Sequence, residues 1–337
     1  MTVDRVLLAE PRGFCAGVEM AIKALAWMVR LFEPPVYCYH EIVHNQTVVD
    51  RFRRLGVIFV DDIADVPPGA PLMLSAHGSA PEVVEAARAS GGVVVNAVCP
   101  LVTKVHHEVK TRAGKGYTIV YVGHQGHEEA TGTMAVAPQA VRLVETEADV
   151  AALGAIQGPV ALLAQTTLSH DEWSGITDRV RELFPEVWTP GRSDLCFATT
   201  NRQAALKAVA AEADAVVVIG SANSSNTVAL TKVAKAAGCP RVLRIDTPEE
   251  LPDDLSGTVA VTAGASAPEG LIEAVIARLD PVHPPEVVSA VDEDEYFPPP
   301  RELRDLIRAS GAGLEDDRAV SASAVLADLG PGRPGPD

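Results

Sequence analysis

Three cysteines, Cys15, Cys99 and Cys196, each stand where an apolar run gives way to a helix-forming one, in PRGFCAGVEMAI, VVVNAVCPLVTKV and RSDLCFATTNRQAA. They lie 84 and 97 residues apart and divide the chain into near-equal thirds. Zinc fingers take their ligands in close pairs, so this spacing does not describe one. It suits three similar units that each deliver one thiolate to a shared centre. Three thiolates around one point suggest an iron–sulfur cluster with one iron left free for chemistry. Each thiol is expected near a helix N-terminus, whose dipole favours thiolate. Pro100, directly after Cys99, suits a first helical turn. Free cysteines are also common as buried packing residues, and spacing alone leaves that reading open. Cys38, in an apolar strand-like run, and Cys239, beside a turn, are read as packing or surface residues.

Histidines and small polar loops supply a second kind of chemistry. His44 lies in HEIVHN, His77 in SAHG, and His124 and His127 in GHQGH. Imidazolium groups with Ser and Asn donors could bind a phosphate or diphosphate. GSANSSN (220–226) and AGASAP (263–268) each follow a strand and precede a helix, where exposed N–H groups and hydroxyls make an anion site. Neither loop matches the P-loop or dinucleotide fingerprint. The competing reading of GHQGHEE is a zinc site, with two histidines three apart beside Glu128 and Glu129. A carboxyl in a dry pocket has its pKa raised and can donate a proton near neutral pH. The sequence does not decide which of the two glutamates does so.

These residues need elements to hold them. A short apolar strand, a polar or His-bearing loop and an amphipathic helix recur six times, beginning at PVYCYHEIVHN, APLMLSAHGSA, YTIVYVGHQGHEE, PVALLAQTTLSHDE, DAVVVIGSANSSN and GTVAVTAGASAPEG. Continuous runs such as AVVVIG suit strands buried on both faces, and strands alternating with helices predict parallel α/β sheets. Ligands in such sheets bind beyond the carboxyl ends of the strands, where His44, His77, His127, Thr166, Asn226 and Ser266 fall. Each third holds one cysteine turn and two strand–loop units. The expected fold is three similar parallel-sheet α/β units around a pseudo-threefold axis, trefoil-like, with a central cavity. The expected boundaries are 1–97, 98–194 and 195–282 for the three units, 283–308 for a segment returning to the first unit, and 309–337 for a disordered acidic tail.

Composition narrows the function classes. The 337 residues are 47% hydrophobic and 22% charged, with a net charge of −17. That balance argues against general nucleic-acid binding. The stretch from Glu286 onward carries −7 of the charge. No apolar run is long enough to span a bilayer, and the N-terminus lacks a secretory pattern. The expected compartment is the cytoplasm, where thiols stay reduced.

Taken together, PRGFCAGV, HEIVHN, SAHG, CPLVTKVH, GH-x-GH-x-E-x-x-GTM, QTTLS, ATTNRQ, GS-x-NSSN and TAGASAP resemble, in order, the motifs of the hydroxymethylbutenyl diphosphate reductases, the LytB/IspH family. The resemblance runs from about Val6 to Leu306. It implies an oxidoreductase of isoprene biosynthesis that acts last in the non-mevalonate (MEP/DOXP) pathway. The allylic alcohol of 4-hydroxy-3-methylbut-2-enyl diphosphate loses its hydroxyl as water and gains two electrons and a proton, giving isopentenyl and dimethylallyl diphosphate. By resemblance, Cys15, Cys99 and Cys196 hold one 4Fe–4S cluster with one open iron. His44, His77 and His127 surround the diphosphate and hydroxyl, Glu129 delivers the proton, and Thr166 hydrogen-bonds the hydroxyl. Ser224, Ser225, Asn226 and Ser266 hold the diphosphate. The residue after the second histidine is often Pro in the family; here it is Glu128. One-electron supply implies a ferredoxin or flavodoxin, and a local basic patch of Lys104, Lys110, Arg112 and Lys115 could receive it. The rival expectation is a zinc-dependent hydrolase built on GHQGHEE.

Overall fold

The computed structural model describes residues 2–311 and 318–329. The chain opens with β1 (Thr2–Glu10) and then α1 (Ala16–Leu31). The next stretch holds β2 (Val36–Tyr39), α2 (Gln46–Arg53), β3 (Val57–Val60), β4 (Leu72–Leu74), α3 (Pro81–Ala89) and β5 (Val94–Asn96). It is followed by α4 (Pro100–Gly114), β6 (Thr118–Val122), α5 (Glu128–Ala135), β7 (Val141–Val144), α6 (Glu147–Ala152), β8 (Val160–Ala164) and α7 (His170–Leu183). The last third holds α8 (Phe197–Ala210), β9 (Ala215–Ile219), α9 (Ser225–Ala236), β10 (Val242–Ile245), β11 (Ser256–Ala263) and α10 (Glu269–Leu279). After it come β12 (Glu286–Ser289), α11 (Arg301–Ala309) and α12 (Ala322–Asp328).

The strands form three sheets, in the orders β3-β2-β4-β5, β7-β6-β8 and β10-β9-β11-β1-β12, and every strand pair among the described residues is parallel. One connectivity repeats in each: a central strand, a helix, an edge strand, then a strand on the other side of the centre. All six expected strand–loop–helix units are present. β8 (VALLA) and β9 (AVVVI) are buried along their whole length. That explains why their sequences do not alternate: both faces meet packed side chains. No helix among the described residues is long and apolar enough to cross a membrane.

Each cysteine stands where the chain passes from one sheet to the next. β1 pairs with β11 in the third sheet, yet α1, which follows Cys15, packs Ile22, Leu25 and Met28 against Val36, Met73 and Val95 of the first. β5 belongs to the first sheet, and α4, after Cys99, packs Val105 and Val109 against Ile119 and Leu163 of the second. Trp188 bridges to Ala161 of β8, and α8, after Cys196, packs Leu206 and Val209 against Val216 and Val218 of the third.

The first boundary expected from sequence is thereby corrected. Residues 2–10 are a strand of the third sheet rather than the start of the first unit, because their hydrogen-bonding edges are taken by β11 and β12. The segment 283–308 divides in the same way: β12 extends the third sheet, while Leu303 and Ile307 of α11 enter the core around α1. The expected disordered tail also needs correction. Ser321 caps α12, and Ala322 and Leu326, one helical turn apart, are buried against that same core. The tail's positions 312–317 and 330–337 lie outside the described residues.

Candidate active site

The three crossings bring Cys15, Cys99 and Cys196 to the wall of one cavity, with about 770 Å³ of empty space that opens in part to solvent. Each cysteine is the N-cap of the helix it begins: α1, α4 and α8. The Cys196 sulfur accepts from the Thr199 N–H at 3.2 Å and lies 3.0 Å from the Thr199 hydroxyl. Gly17 marks how closely two of the turns meet. A Cβ there would sit 2.8 Å from the Cys99 sulfur and 4.0 Å from that of Cys15.

The helix ends do favour thiolate, as expected, but burial outweighs them. Burial pushes the Cys15 and Cys99 thiols up, and pushes Cys196 to about 12; the Cys15 sulfur adds to the rise at the other two. The helix N–H groups lower all three, but by less. Three half-buried soft donors on one cavity wall that repel one another as anions match a thiophilic, positively charged metal centre, which supplies the missing charge at the site itself.

The same cavity is lined by His44, His77, His127, Glu129 and Thr166. The His44 and His77 rings stack at 3.9 Å between centroids, and His127 meets them edge-on at 5.5 and 6.2 Å. His127 caps α5, its Nδ1 accepting from the Glu129 N–H at 3.1 Å. That bond requires an unprotonated Nδ1, so the neutral ring carries its proton on Nε2. Burial, with His77 and His44 nearby, depresses His127 to about 3; burial and His77 also lower His44. Two of the three imidazoles are therefore neutral hydrogen-bonding groups at physiological pH rather than imidazolium.

Glu129 is resolved from its neighbour by geometry. Its Oε1 accepts from the Thr166 N–H at 2.7 Å and its Oε2 from the Thr166 hydroxyl at 2.9 Å, with 2% of the residue exposed. Burial raises its pKa to about 7 against those two hydrogen bonds, with Asp194 adding to the rise. Glu128 takes the opposite course. It lies 2.8 Å from His77 Nδ1, close enough for ion pairing but out of line for a hydrogen bond. Burial alone would raise it, yet His77, His44 and His40 outweigh burial and hold it at about 2. The two adjacent glutamates are thus pushed in opposite directions, Glu129 towards the protonated form and Glu128 towards the carboxylate.

Two loops of the third unit complete the wall with Ser224, Ser225, Asn226 and Ser266. Ser224 caps α9. Ser225 Oγ lies within 3.3 Å of Gln165 Nε2 and 3.4 Å of His124 Nδ1. Asn226 accepts from the Ala265 N–H at 3.0 Å, and Ser266 donates to the His44 carbonyl at 2.9 Å. All twelve residues expected at the site are therefore gathered from three units. GHQGHEE does not itself make a metal site. The metal-competent trio among the described residues is His44, His77 and Glu128, whose ligand atoms lie within 4.8 Å of one another.

The suggested basic patch is partly spent on structure. Lys104 donates to the carbonyls of Arg192 and Ser193 and pairs with Asp194 at 3.3 Å, pinning the approach to Cys196. Arg112 stacks on Trp188 at 3.6 Å. Cys38 and Cys239 are buried away from the cavity. Thr167, Thr199 and Phe297 line it without having been anticipated. Thr199 was discernible as the residue three beyond an N-capping cysteine; Phe297, from an irregular segment a hundred residues downstream, carried no signal.

Fold and site together define a three-unit α/β enzyme built around a thiol-lined centre with adjoining histidine and serine–asparagine loops. A family model described as LytB protein matches residues 6–280. The chain is 48% identical to the 4-hydroxy-3-methylbut-2-enyl diphosphate reductase of Rhodopirellula baltica over 310 residues, 90% of this chain and 97% of that protein. It is 45% identical to the reductase of the same name from Streptomyces avermitilis over 321 residues, 93% and 95% of the two chains. The solved structure of E-1-hydroxy-2-methyl-but-2-enyl-4-diphosphate reductase from Plasmodium falciparum superposes with a TM-score of 0.87 at 32% identity, covering 92% of this chain and 99% of that one. The chain belongs to the LytB protein family.

Proposed function

We propose that this chain reduces 4-hydroxy-3-methylbut-2-enyl diphosphate to isopentenyl and dimethylallyl diphosphate, the last step of the non-mevalonate route to isoprenoids. The observation that carries this reading is a single cavity lined by three thiols, a buried carboxyl whose pKa is raised, and a wall of imidazole, hydroxyl and amide groups. Cys15, Cys99 and Cys196 would hold one 4Fe–4S cluster, set in a pseudo-threefold arrangement of the three units. That group, when bound, supplies two electrons one at a time and a Lewis-acidic iron for the departing oxygen. The net change consumes two electrons and two protons; one proton leaves in water and one ends on carbon.

The chain's own residues account for the rest. Neutral imidazole donors of His44 and His127 and the hydroxyl and amide groups of Ser224, Ser225, Asn226 and Ser266 support diphosphate binding at the N-terminus of α9. Val43, Ala76, Leu101, Val102, Phe197 and Phe297 form an apolar wall suited to a five-carbon chain. Glu129, its pKa raised to about 7, can hold near neutral pH the proton that turns a poor leaving group into water, and Thr166 orients the exchange. Five free cysteines support a reducing, cytoplasmic setting, and electron supply one at a time calls for an external donor such as ferredoxin or flavodoxin. The zinc-hydrolase alternative finds no support, since His124 and His127 do not share a ligand cluster among the described residues.

The test is anaerobic reconstitution with iron and sulfide, followed by substrate-dependent oxidation of a reduced viologen. Dye oxidation coupled to formation of both products is expected. Stoichiometric zinc, with no acid-labile sulfide and no dye oxidation, overturns the proposal.

A further inference from the structure

Arg202 heads the fully buried side chains in size and is 1% exposed. A guanidinium remains charged in a protein, and burying one without partners costs several kcal/mol. Here its donors are shared among four partners. Nε and Nη2 donate to the Gly13 carbonyl at 3.0 and 2.9 Å, and Nη2 also to the Phe14 carbonyl at 3.2 Å. Nη1 donates to the Ala198 carbonyl at 2.9 Å and to Glu293 at 3.0 and 3.2 Å.

The addresses of those partners matter. Gly13 and Phe14 are the two residues before Cys15, and Ala198 is the second residue after Cys196. One side chain of the third unit therefore grips the turn that carries the first thiol and the helix capped by the third. Glu293 belongs to the irregular segment after β12. It also accepts from Asn201 Nδ2 at 3.0 Å, and four residues on, Phe297 reaches the cavity wall 6.4 Å from the Phe197 ring. A structural ion pair needs no such location beside two of the three thiols.

We propose that Arg202, with Glu293 as its counter-charge, is a positioning residue for the redox centre. It fixes the Cys15 turn against the Cys196 helix and sets an asymmetric field at those two sulfurs. The guanidinium contacts the two residues before Cys15 and the second residue after Cys196, and the Glu293 carboxylate faces it. Negative charge that arrives on reduction is stabilised by the guanidinium and opposed by the carboxylate. The inference rests on the three thiols holding a cluster.

The full chain is reconstituted anaerobically and iron, sulfide and visible absorption are measured first. If the native chain takes up no cluster, the proposed function fails before this inference is reached. Reduction potentials are then measured against mediator dyes for the native protein, Arg202→Gln, Arg202→Lys and Glu293→Gln, together with iron loss to a chelator. Arg202→Gln is expected to be harder to reduce and Glu293→Gln easier. Arg202→Lys, which keeps the charge but not the fork, is expected to hold a near-native potential while losing iron about ten- to a hundredfold faster. A purely structural role would not displace the potential in opposite directions. If Arg202→Gln does not fold, the isosteric Glu293→Gln decides. A potential that is unchanged or shifted negative in that variant overturns the proposal, as do equal or same-direction shifts in the Gln variants.

Discussion

Replacing Glu129 by Gln tests the acid–base role most directly. The carboxyl's rise from 4.5 to about 7 is worth about 3 kcal/mol in favour of the protonated form. The side chain is fully enclosed, so no solvent screening reduces that figure. Gln preserves the shape, and its Oε1 can still accept from the Thr166 N–H, but it has no proton to give. Turnover is expected to fall by about 10²–10⁴-fold, the usual range for a positioned acid, with substrate affinity largely retained. The native rate should decline above about pH 7 as the carboxyl ionises, and the residual rate of the Glu129→Gln variant should lack that limb. Stability provides an independent readout. At low pH the group is protonated in both folded and unfolded chains. Between 4.5 and about 7 the folded chain keeps a proton that the unfolded chain has released, so stability falls as pH rises, and the full cost is present above about 7. The Gln variant escapes this cost and should gain about 3 kcal/mol on the native protein between about pH 4 and 8 by denaturant unfolding. Near-native turnover in the variant, or identical pH dependences of stability, would refute the reasoning.

Other outcomes follow from the same geometry. Cys15→Ser, Cys99→Ser and Cys196→Ser should each abolish the visible absorption and dye oxidation of reconstituted protein; activity surviving in any one removes that residue from the ligand set. Gly17→Ala places a methyl 2.8 Å from the Cys99 sulfur, and iron content per chain should drop sharply while far-ultraviolet dichroism stays native. Glu128→Gln should leave turnover at saturating substrate within a few-fold of native and change KM, since this carboxylate touches His77 rather than Thr166; a collapse in kcat would reverse the assignment of the two glutamates. Leu326→Ala should cost about 2–4 kcal/mol by denaturant unfolding if α12 is a packed part of the fold.

Much of the site is readable because its chemistry sits in short local strings. SAHG, QTTLS and GSANSSN each follow a buried apolar strand, and a parallel sheet must bring such loops to one edge. Cysteines at strand-to-helix junctions are likewise visible, as is their division of the chain into thirds. The family resemblance supplies the roles of His44, His77, His127, Glu129 and Thr166, which spacing alone leaves open between anion and metal binding. Composition misreads the tail because it reports mean polarity, whereas Ala322 and Leu326 need only one helical turn of apolar spacing to dock.

Residue type, local pattern and strand–helix alternation are properties of neighbours along the chain, and for them the sequence was sufficient. What lies between distant segments was decided only in three dimensions. β1 leaves its own third to pair with β11, because edge hydrogen bonds are satisfied by whichever strand the packing brings near. Arg202 meets Gly13 across 189 residues. Glu128 and Glu129, indistinguishable as letters, part company because one lies against imidazole and the other against Thr166 in a dry cavity. Charge state depends on what surrounds a group, and no string of residues states its surroundings.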